Sequence, residues 1–185
     1  VTIEYNKKRY EFKTKNNHVK NVLFAIAVLK ILKLDVSIIQ NKIHKIEALE
    51  GRGKIVKIKF KDIKFNLIDE SYNANPLSMS NAIRNMNYYK RKNNSKKLVF
   101  LGDMLELGKK SKEFHKELST VINKSDIDKV FVYGKYIKET FNSLQSNKKG
   151  RVFNNLSDAH DHFRKIIQNN DLLMLKGSNA TGLNK

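Results

Sequence analysis

The segment Asp69-Glu70-Ser71-Tyr72-Asn73-Ala74-Asn75-Pro76 joins an apolar run at residues 65–68 to a helical pattern at residues 77–89. It contains the single proline of the chain, together with acidic, phenolic and amide side chains. In open α/β folds, ligand sites lie where a strand ends and a turn leads into a helix. A turn this polar costs more to order than a plain connection requires, and we therefore expect its side chains to bind a ligand.

Strands and helices alternate along the chain on both sides of this segment. Runs of apolar residues predict strands, and apolar residues that recur every three or four positions predict helices. Apolar strands separated by helices are typical of the α/β class, with a mostly parallel sheet covered on both faces. The predicted strands are residues 55–60, 65–68, 97–101, 129–132, 151–153 and 172–175, and the predicted helices are 77–90, 111–123, 135–144 and 157–168.

The first part of the chain has a different pattern. Residues 1–13 predict a β-hairpin, and residues 18–34 and 35–46 predict two helices. Gly51-Arg52-Gly53 then interrupts the periodicity, so we place a domain boundary there, between residues 1–53 and 54–185. A hairpin and two helices bury little by themselves, and this part is interpreted as the tail of a larger domain, with exposed apolar surface.

The chain is strongly basic. Its 185 residues include 37 Lys and Arg against 18 Asp and Glu, a net charge of +19. The lysines are scattered, and the densest cluster, residues 90–97, has no interleaved aromatic residues. A biased composition explains this pattern better than a nucleic-acid site does, although a basic surface favours anionic ligands such as nucleotides.

Cysteine is absent, which excludes disulfides, thiolate metal ligands and a cysteine nucleophile. No apolar run approaches the roughly 20 residues of a membrane-spanning helix, and the first residues lack the apolar centre of a signal peptide. We therefore expect a cytoplasmic protein that has no membrane partner.

Two further turns follow predicted strands. Gly102-Asp103-Met104-Leu105-Glu106-Leu107-Gly108 follows residues 97–101, and Lys176-Gly177-Ser178-Asn179 follows residues 172–175. In a parallel sheet, both turns would meet the segment that begins at Asp69. The first of them is not a phosphate-binding loop, because its glycine spacing is wrong and its acids would repel phosphate. Asp103 either belongs to a structural loop that covers the sheet edge or binds a ligand ammonium or a metal-bound water.

Histidines and one arginine complete the set of candidates. His160 and His162 lie two positions apart on a predicted helix, so they point to different sides and cannot chelate one ion. His115 is interpreted as a packed or surface histidine rather than a base. Arg52, flanked by glycines, is either an exposed phosphate-binding guanidinium or an ordinary linker arginine.

Taken together, these motifs resemble those of the Mur ligases of bacterial peptidoglycan synthesis. The resemblance rests on the three turns quoted above, on Glu50-Gly51-Arg52-Gly53 and on Asn17-His18-Val19-Lys20-Asn21, in the order and spacing of that family. Among its members, the motifs are most similar to those that add D-alanyl-D-alanine to UDP-N-acetylmuramoyl-tripeptide. The resemblance implies a Rossmann-like C-terminal ligase domain at residues 54–185, preceded by the end of a central ATP-binding domain at residues 1–53.

The resemblance also implies a reaction, in which ATP and Mg²⁺ activate a carboxylate as an acyl phosphate that the amine of the dipeptide attacks. Asn21 would lie beside the adenine, while His18 stands where relatives have a second asparagine. Arg52 would reach the ATP phosphates. Asp69 would approach the ribose or the waters of the metal ion, with Glu70 in place of a common second aspartate.

The remaining candidates line the expected cleft. Tyr72, Asn73 and Asn75 would shape its nucleotide and substrate sides. Asp103, Lys176 and Ser178 are implied for the dipeptide and the tetrahedral intermediate. Arg and Lys suit this chemistry because negative charge accumulates during phosphoryl and acyl transfer, so Arg52 and Lys176 are the catalytic candidates.

The family's phosphate-binding loop, its magnesium ligands and its uridine-nucleotide domain would lie before Val1. We therefore expect the chain to be inactive by itself, as a fragment or as the product of a split gene. Two alternatives are a non-catalytic module that binds nucleotides or nucleic acid and a ligase that adds glutamate to folate. The amide-rich turn and the loop from Gly102 to Gly108 argue against the folate ligase.

Overall fold

The computed structural model describes residues 2–5, 8–11, 19–40, 51–92 and 94–183. The chain divides into two compact units, residues 1–48 and 49–185. The turn at Gly51-Arg52-Gly53 belongs to the second unit. The assignment of residues 1–53 and 54–185 to two ligase domains stays a prediction.

The first unit contains the predicted hairpin and helices. Strand β1 (Thr2–Tyr5) pairs antiparallel with β2 (Lys8–Glu11), and helices α1 (Val19–Ile31) and α2 (Ser37–Gln40) follow. The remainder of the second predicted helix lies outside the described residues. Val22, Ile26 and Val36 are buried together. The expected exposure of apolar side chains is confirmed at Leu23, Phe24, Val28, Ile31, Leu32, Leu34 and Ile38.

A six-stranded sheet forms the centre of the second unit, with the strand order β3-β4-β8-β5-β6-β7. Strand β3 is antiparallel to β4 at one edge, and every other pairing is parallel, which confirms the predicted α/β class and mostly parallel sheet. Strand β8 lies between β4 and β5 although it follows all the others in sequence. The strands are β3 (Lys54–Phe60), β4 (Ile63–Glu70), β5 (Lys97–Gly102), β6 (Lys129–Tyr133), β7 (Lys149–Phe153) and β8 (Leu172–Lys176).

Four helices pack on the sheet, and alternate residues of each strand serve its two faces. Val99 and Leu101 of β5 belong to the larger core, with helices α3, α4 and α5, whereas Leu98 and Phe100 belong to the second core, with α6. None of the described helices is long and apolar enough to cross a membrane. The helices are α3 (Pro76–Met86), α4 (Ser111–Asn123), α5 (Ile137–Asn142) and α6 (Leu156–Ile166).

Coverage of the second face differs from the prediction. Among the described residues, α6 is the one α-helix of the second core, and a cavity of about 340 Å³ lies beside it. Apolar side chains of β3, β4 and β8 line this cavity, including Phe60, Phe65 and Leu173. One helix cannot span six strands, so this face of the sheet is covered only in part.

Candidate functional site

The carboxyl ends of three neighbouring strands form the candidate site. Strands β4, β8 and β5 end at Glu70, Lys176 and Gly102, and their parallel registers pair Lys176 with Glu70 on one side and with Leu101 on the other. The predicted convergence of the three turns on one edge of the sheet is therefore confirmed.

Hydrogen bonds from the turn after β8 join it to both of its neighbours. The Ser178 hydroxyl accepts from the backbone N–H of Leu105 at 3.0 Å, and the Ser178 N–H donates to the carbonyl oxygen of Asp103 at 3.0 Å. On the other side, the Lys176 ammonium donates to the carbonyl oxygen of Asn73 at 3.1 Å. The three turns are thus one connected structure, although they are separated by up to about a hundred residues in sequence.

Lys176 is buried, with 2% of its surface exposed. Its Nζ lies 3.3 Å from Glu70 Oε2 and 3.4 Å from the Glu70 carbonyl oxygen, in addition to the contact with Asn73. A buried ammonium is stable only when it is paired and hydrogen-bonded, and the turn after β4 supplies these acceptors. Lys176 therefore fixes the shape of that turn. The catalytic and substrate-binding roles of Lys176 stay predictions, and so does the substrate-binding role of Ser178, whose hydroxyl accepts from the N–H of Leu105.

Asp69 connects the turn after β4 to the turn at residues 51–53. Its Oδ2 accepts from the N–H of Gly51 at 3.1 Å, and its Oδ1 accepts from both the N–H and the hydroxyl of Ser71. The backbones also pair, since Gly53 N–H donates to the Asp69 carbonyl oxygen at 2.7 Å and Tyr72 N–H donates to that of Gly51 at 3.1 Å. The carboxylate of Asp69 thus organises two loops, and its approach to a ribose or metal-bound water stays a prediction.

Both glycines beside Arg52 are required by this arrangement. Gly51 and Gly53 have φ values of 71° and 87°, which other residues rarely adopt. A Cβ atom on Gly51 would lie 2.9 Å from Tyr72 Cβ, and one on Gly53 would lie 2.9 Å from Glu70 Oε1. The close approach leaves Arg52 exposed at the tip of the turn, with its guanidinium carbon 4.1 Å from the centroid of the Tyr72 ring.

The two asparagines of the turn are exposed and shape the backbone. Asn73 Oδ1 accepts from the N–H of Ala74 at 2.7 Å. Asn75 caps helix α3, because its Oδ1 accepts from Ser78 N–H at 2.8 Å while the Ser78 hydroxyl accepts from Asn75 N–H at 3.0 Å. Asn followed by Pro at the first helical position is a helix-start signal that was readable in the sequence. Nucleotide or substrate contacts by Tyr72, Asn73 and Asn75 stay predictions.

Asp103 holds the start of helix α5. Its carboxylate is buried and accepts from the backbone N–H groups of Lys135, Tyr136 and Ile137 at 2.8, 2.9 and 2.7 Å. These bonds satisfy donors that the helix itself leaves without partners. Of the two readings of Asp103, the structure supports the structural loop, with Met104 buried beneath it. Contact with an incoming dipeptide stays a prediction and would compete with these three bonds.

His115 is a buried histidine of α4, as one of the two sequence interpretations stated. Its Nε2 accepts from the Met104 N–H at 2.9 Å, so Nδ1 carries the proton and donates to the Ser111 carbonyl oxygen at 2.6 Å. Burial lowers the pKa of His115 below its ordinary value, against smaller opposing effects of the Ser111 hydrogen bond, Asp103 and Glu139. The imidazole supports the loop after β5 and is not exposed to a substrate.

Helix α6 carries the other two histidines discussed from the sequence. His160 is exposed, whereas His162 packs against the rings of Phe131 and Phe153. The two side chains therefore lie on different sides of the helix, as predicted from their spacing of two positions. Within the described part of the chain, no group of three His, Asp or Glu side chains is arranged to hold a metal ion.

The densest basic cluster lies at the amino edge of the sheet, away from the candidate site. Arg91 pairs with Asp128 at 2.7 Å, and the Lys97 ammonium contacts Asp126 at 2.5 Å and the Met86 carbonyl oxygen at 2.6 Å. These two cations hold neighbouring loops together, which favours the interpretation that the cluster is not a nucleic-acid site. Asn21 is an exposed residue of α1 in the first unit, and His18 lies outside the described residues.

Comparison with known proteins identifies the family to which the chain is similar. The model of the family described as "Mur ligase, glutamate ligase domain" matches residues 51–179. The UDP-N-acetylmuramoyl-tripeptide–D-alanyl-D-alanine ligase of Rickettsia prowazekii (strain Madrid E) is 30% identical over 165 residues, which are 89% of this chain and 35% of that protein. The ligase of the same name from Bacillus subtilis (strain 168) is 33% identical over 147 residues, 75% of this chain and 30% of that protein.

Solved structures with the same fold are similar over nearly the whole chain. A crystal structure of MurF ligase from Thermotoga maritima in complex with ADP has a TM-score of 0.77 at 21% identity, over 99% of this chain and 40% of that one. A MurF crystal structure from Acinetobacter baumannii has a TM-score of 0.74 at 22% identity, over 96% and 38%. The chain thus spans about a third of the length of the curated relatives it matches.

Proposed function

Because the chain belongs to the Mur ligase family, through its glutamate ligase domain, we propose that it is the C-terminal part of an ATP-dependent ligase of peptidoglycan synthesis. The proposed reaction joins D-alanyl-D-alanine to UDP-N-acetylmuramoyl-tripeptide, as the names of the relatives describe for those proteins. The family resemblance that the motifs predicted is confirmed. The proposed ligase uses ATP and a UDP-linked precursor, and we propose the cytoplasm as its location.

One observation carries this proposal. The three turns that carry the family's motifs meet at the carboxyl edge of the sheet and are joined there by Lys176 and Ser178. Ligands of open α/β sheets bind in this place. The turn that bears Arg52 is fastened to the same edge through Asp69. The turns of the second unit that carry candidate residues therefore lie together at one edge of the sheet, as a shared ligand site requires.

Each part of this surface has a role in the proposal. Arg52 is exposed and, within the described residues, makes no hydrogen bond or ion pair, so its donors are available to a phosphate group. Tyr72, Asn73 and Asn75 present exposed side chains along the turn after β4. Lys176 and Asp69 hold this turn in shape from its two sides.

A resident magnesium site does not fit the described residues. The carboxylate of Asp69 is bound to Gly51 and Ser71, that of Glu70 to Lys176, and that of Asp103 to the start of α5. No group of three ligating side chains occurs in the described ranges. In the proposal, a metal ion that accompanies ATP would be held by the part of the ligase that this chain does not include.

Two experiments test the function. Titration of the isotope-labelled chain with D-alanyl-D-alanine should shift the NMR signals of Asn73, Asn75 and Ser178, whereas L-alanyl-L-alanine should not. Shifts confined to the basic cluster at residues 90–97 would contradict the proposal.

The second experiment measures ADP release. When the chain alone is mixed with ATP and both substrates, it should release no ADP. Fused behind the preceding two thirds of the Rickettsia prowazekii ligase, it should release ADP in proportion to the dipeptide added.

A further inference from the structure

Arg52 and Tyr72 form a pair on the surface of the second unit. The Arg52 guanidinium carbon lies 4.1 Å from the centre of the Tyr72 ring, well inside the roughly 6 Å limit of a cation–π contact. Arg52 is exposed, and 52% of Tyr72 is exposed. Across the described ranges, the side chain of Arg52 has no hydrogen bond and no carboxylate partner, so the ring is its defined contact.

Two acids at the end of β4 have partners other than Arg52. Asp69 accepts hydrogen bonds from Gly51 and Ser71, and Glu70 faces the ammonium of Lys176. A carboxylate beside an arginine would normally form a bidentate ion pair with it. The Asp69 carboxylate and Oε2 of Glu70 have other partners instead, and the guanidinium of Arg52 rests on the Tyr72 ring.

The backbone fixes both members of the pair. Tyr72 N–H donates to the Gly51 carbonyl oxygen at 3.1 Å, and Gly51 lies so close that a Cβ atom there would be 2.9 Å from Tyr72 Cβ. The starting points of the two side chains are therefore held at a set separation. The position of the guanidinium then depends only on the side-chain torsion angles of Arg52. Contact with the Tyr72 ring favours the angles that place the guanidinium over its face.

From this geometry we propose that Tyr72 is a positioning residue for Arg52, which it holds ready to receive an anionic phosphate group. A contact with the face of a ring uses none of the five N–H donors of a guanidinium, so all of them stay available to phosphate oxygens. An arginine that is already placed loses less conformational freedom when the anion binds. The anion is a phosphate group because of the proposed ligase function, on which this inference rests.

The contact itself is tested by a double-mutant cycle in the full chain. Unfolding in urea is followed for Tyr72→Ala, Arg52→Ala and the double variant. We expect a coupling of about two- to fivefold in the unfolding equilibrium constant, the size of an exposed cation–π contact. Tyr72→Phe should keep this coupling because the aromatic face remains. The control is Tyr88→Ala, which removes a tyrosine that is 75% exposed and should show no coupling with Arg52→Ala.

The positioning role is tested with inorganic pyrophosphate, followed through the backbone N–H NMR signals of Gly51 and Gly53, which flank Arg52. Tyr72→Ala should weaken pyrophosphate binding about two- to fivefold, Tyr72→Phe should bind as the unchanged chain does, and Arg52→Ala should abolish the response. Equal affinity in Tyr72→Ala and the unchanged chain would overturn the inference, as would zero coupling in the cycle or no response of the unchanged chain. Failure of the ligase function would appear instead in the dipeptide titration, with the Arg52–Tyr72 coupling intact.

Discussion

The Nζ atom of Lys176 lies 3.3 Å from Oε2 of Glu70, and the two residues stand opposite each other at the ends of neighbouring parallel strands. Only 2% of the Lys176 side chain and 29% of the Glu70 side chain are exposed. Lys176 also donates to the Asn73 carbonyl oxygen, so the pair supports the turn that carries Tyr72 and Asn73. The shape of the candidate site therefore depends on one buried cation, the ammonium group of Lys176.

Replacement of Lys176 by methionine should lower the free energy of unfolding by about 2–3 kcal/mol. The change leaves the Glu70 carboxylate and the Asn73 carbonyl oxygen without their buried partner. Urea denaturation measures the effect, with Lys165→Met on the exposed side of α6 as the control. Adding Glu70→Gln should restore part of the loss. A Lys176→Met chain as stable as the unchanged one would show that the ammonium makes no net contribution.

Asp103→Asn should destabilise the second unit by about 2 kcal/mol. An amide has the shape of the carboxylate but lacks its charge, and its NH₂ group would face an N–H donor of Lys135, Tyr136 or Ile137. Amide hydrogen exchange should show the largest loss of protection at the start of α5. Asp161→Asn, at an exposed position of α6, is the matched control and should change stability by less than about 0.5 kcal/mol. Equal effects of the two changes would refute the structural role of Asp103.

Gly51→Ala should cost more stability than Gly108→Ala, although both glycines have positive φ values, 71° and 58°. The backbone penalty of about 1 kcal/mol is common to both changes. Only at Gly51 does the new Cβ atom meet a neighbour, Tyr72, whereas nothing lies within 4 Å of the Cβ position at Gly108. We expect an additional loss of about 1–3 kcal/mol in urea denaturation. Equal losses would mean that Tyr72 moves away freely and that the close approach is not important.

The stability of the chain should fall as the pH is lowered from about 7.5 to about 5, in part through His115. Burial lowers the pKa of His115 in the folded state below its ordinary value of 6.5, so the unfolded state binds the proton more readily. The stabilisation is therefore present above 6.5 and is lost as the pH falls through the folded-state pKa.

His115→Gln should flatten this pH dependence, measured as the free energy of unfolding in urea at several pH values. Burial lowers the pKa of His162 as well, with Arg151 and Lys165 acting in the same direction, and this contribution is the same in both chains. His160→Gln, at an exposed position, is the control and should keep the slope of the unchanged chain. An unaltered slope in His115→Gln would show that His115 does not titrate on unfolding.

Local pattern was sufficient to predict most of the elements. The predicted helix at residues 111–123 coincides with α4, and each predicted strand lies within an observed one. The predicted helix at residues 135–144 begins later, at Ile137, because the N–H groups of residues 135–137 are bound by Asp103. Periodicity cannot reveal this contact, since Asp103 lies more than thirty residues earlier in the chain.

The candidate site was predictable as a place but not as a set of contacts. Parallel strands imply that their carboxyl ends meet, and the three turns do meet. The sequence did not indicate that Lys176 would be buried against Glu70, or that Arg52 would rest on Tyr72, because both contacts depend on strand order and on loop approach. From the sequence, the glycines beside Arg52 were expected to leave its guanidinium exposed. They also allow the turn at residues 51–53 to lie against Tyr72 and Glu70, where a Cβ atom would not fit.

The position of strand β8 has a consequence for how the chain acquires its structure. β8 follows the other described strands in sequence, yet it separates β4 from β5. Its residue Leu173 pairs with Leu67 and with Leu98, which lie 106 and 75 residues earlier in the chain (173 − 67 and 173 − 98). Pairings between such distant residues form slowly, because a long loop must close first. On the ribosome, the sheet would remain as two halves, β3-β4 and β5-β6-β7, until Leu172–Lys176 emerges. The inward edges of these halves are then open to incorrect pairing with another chain, because an unpaired strand edge exposes its backbone donors and acceptors.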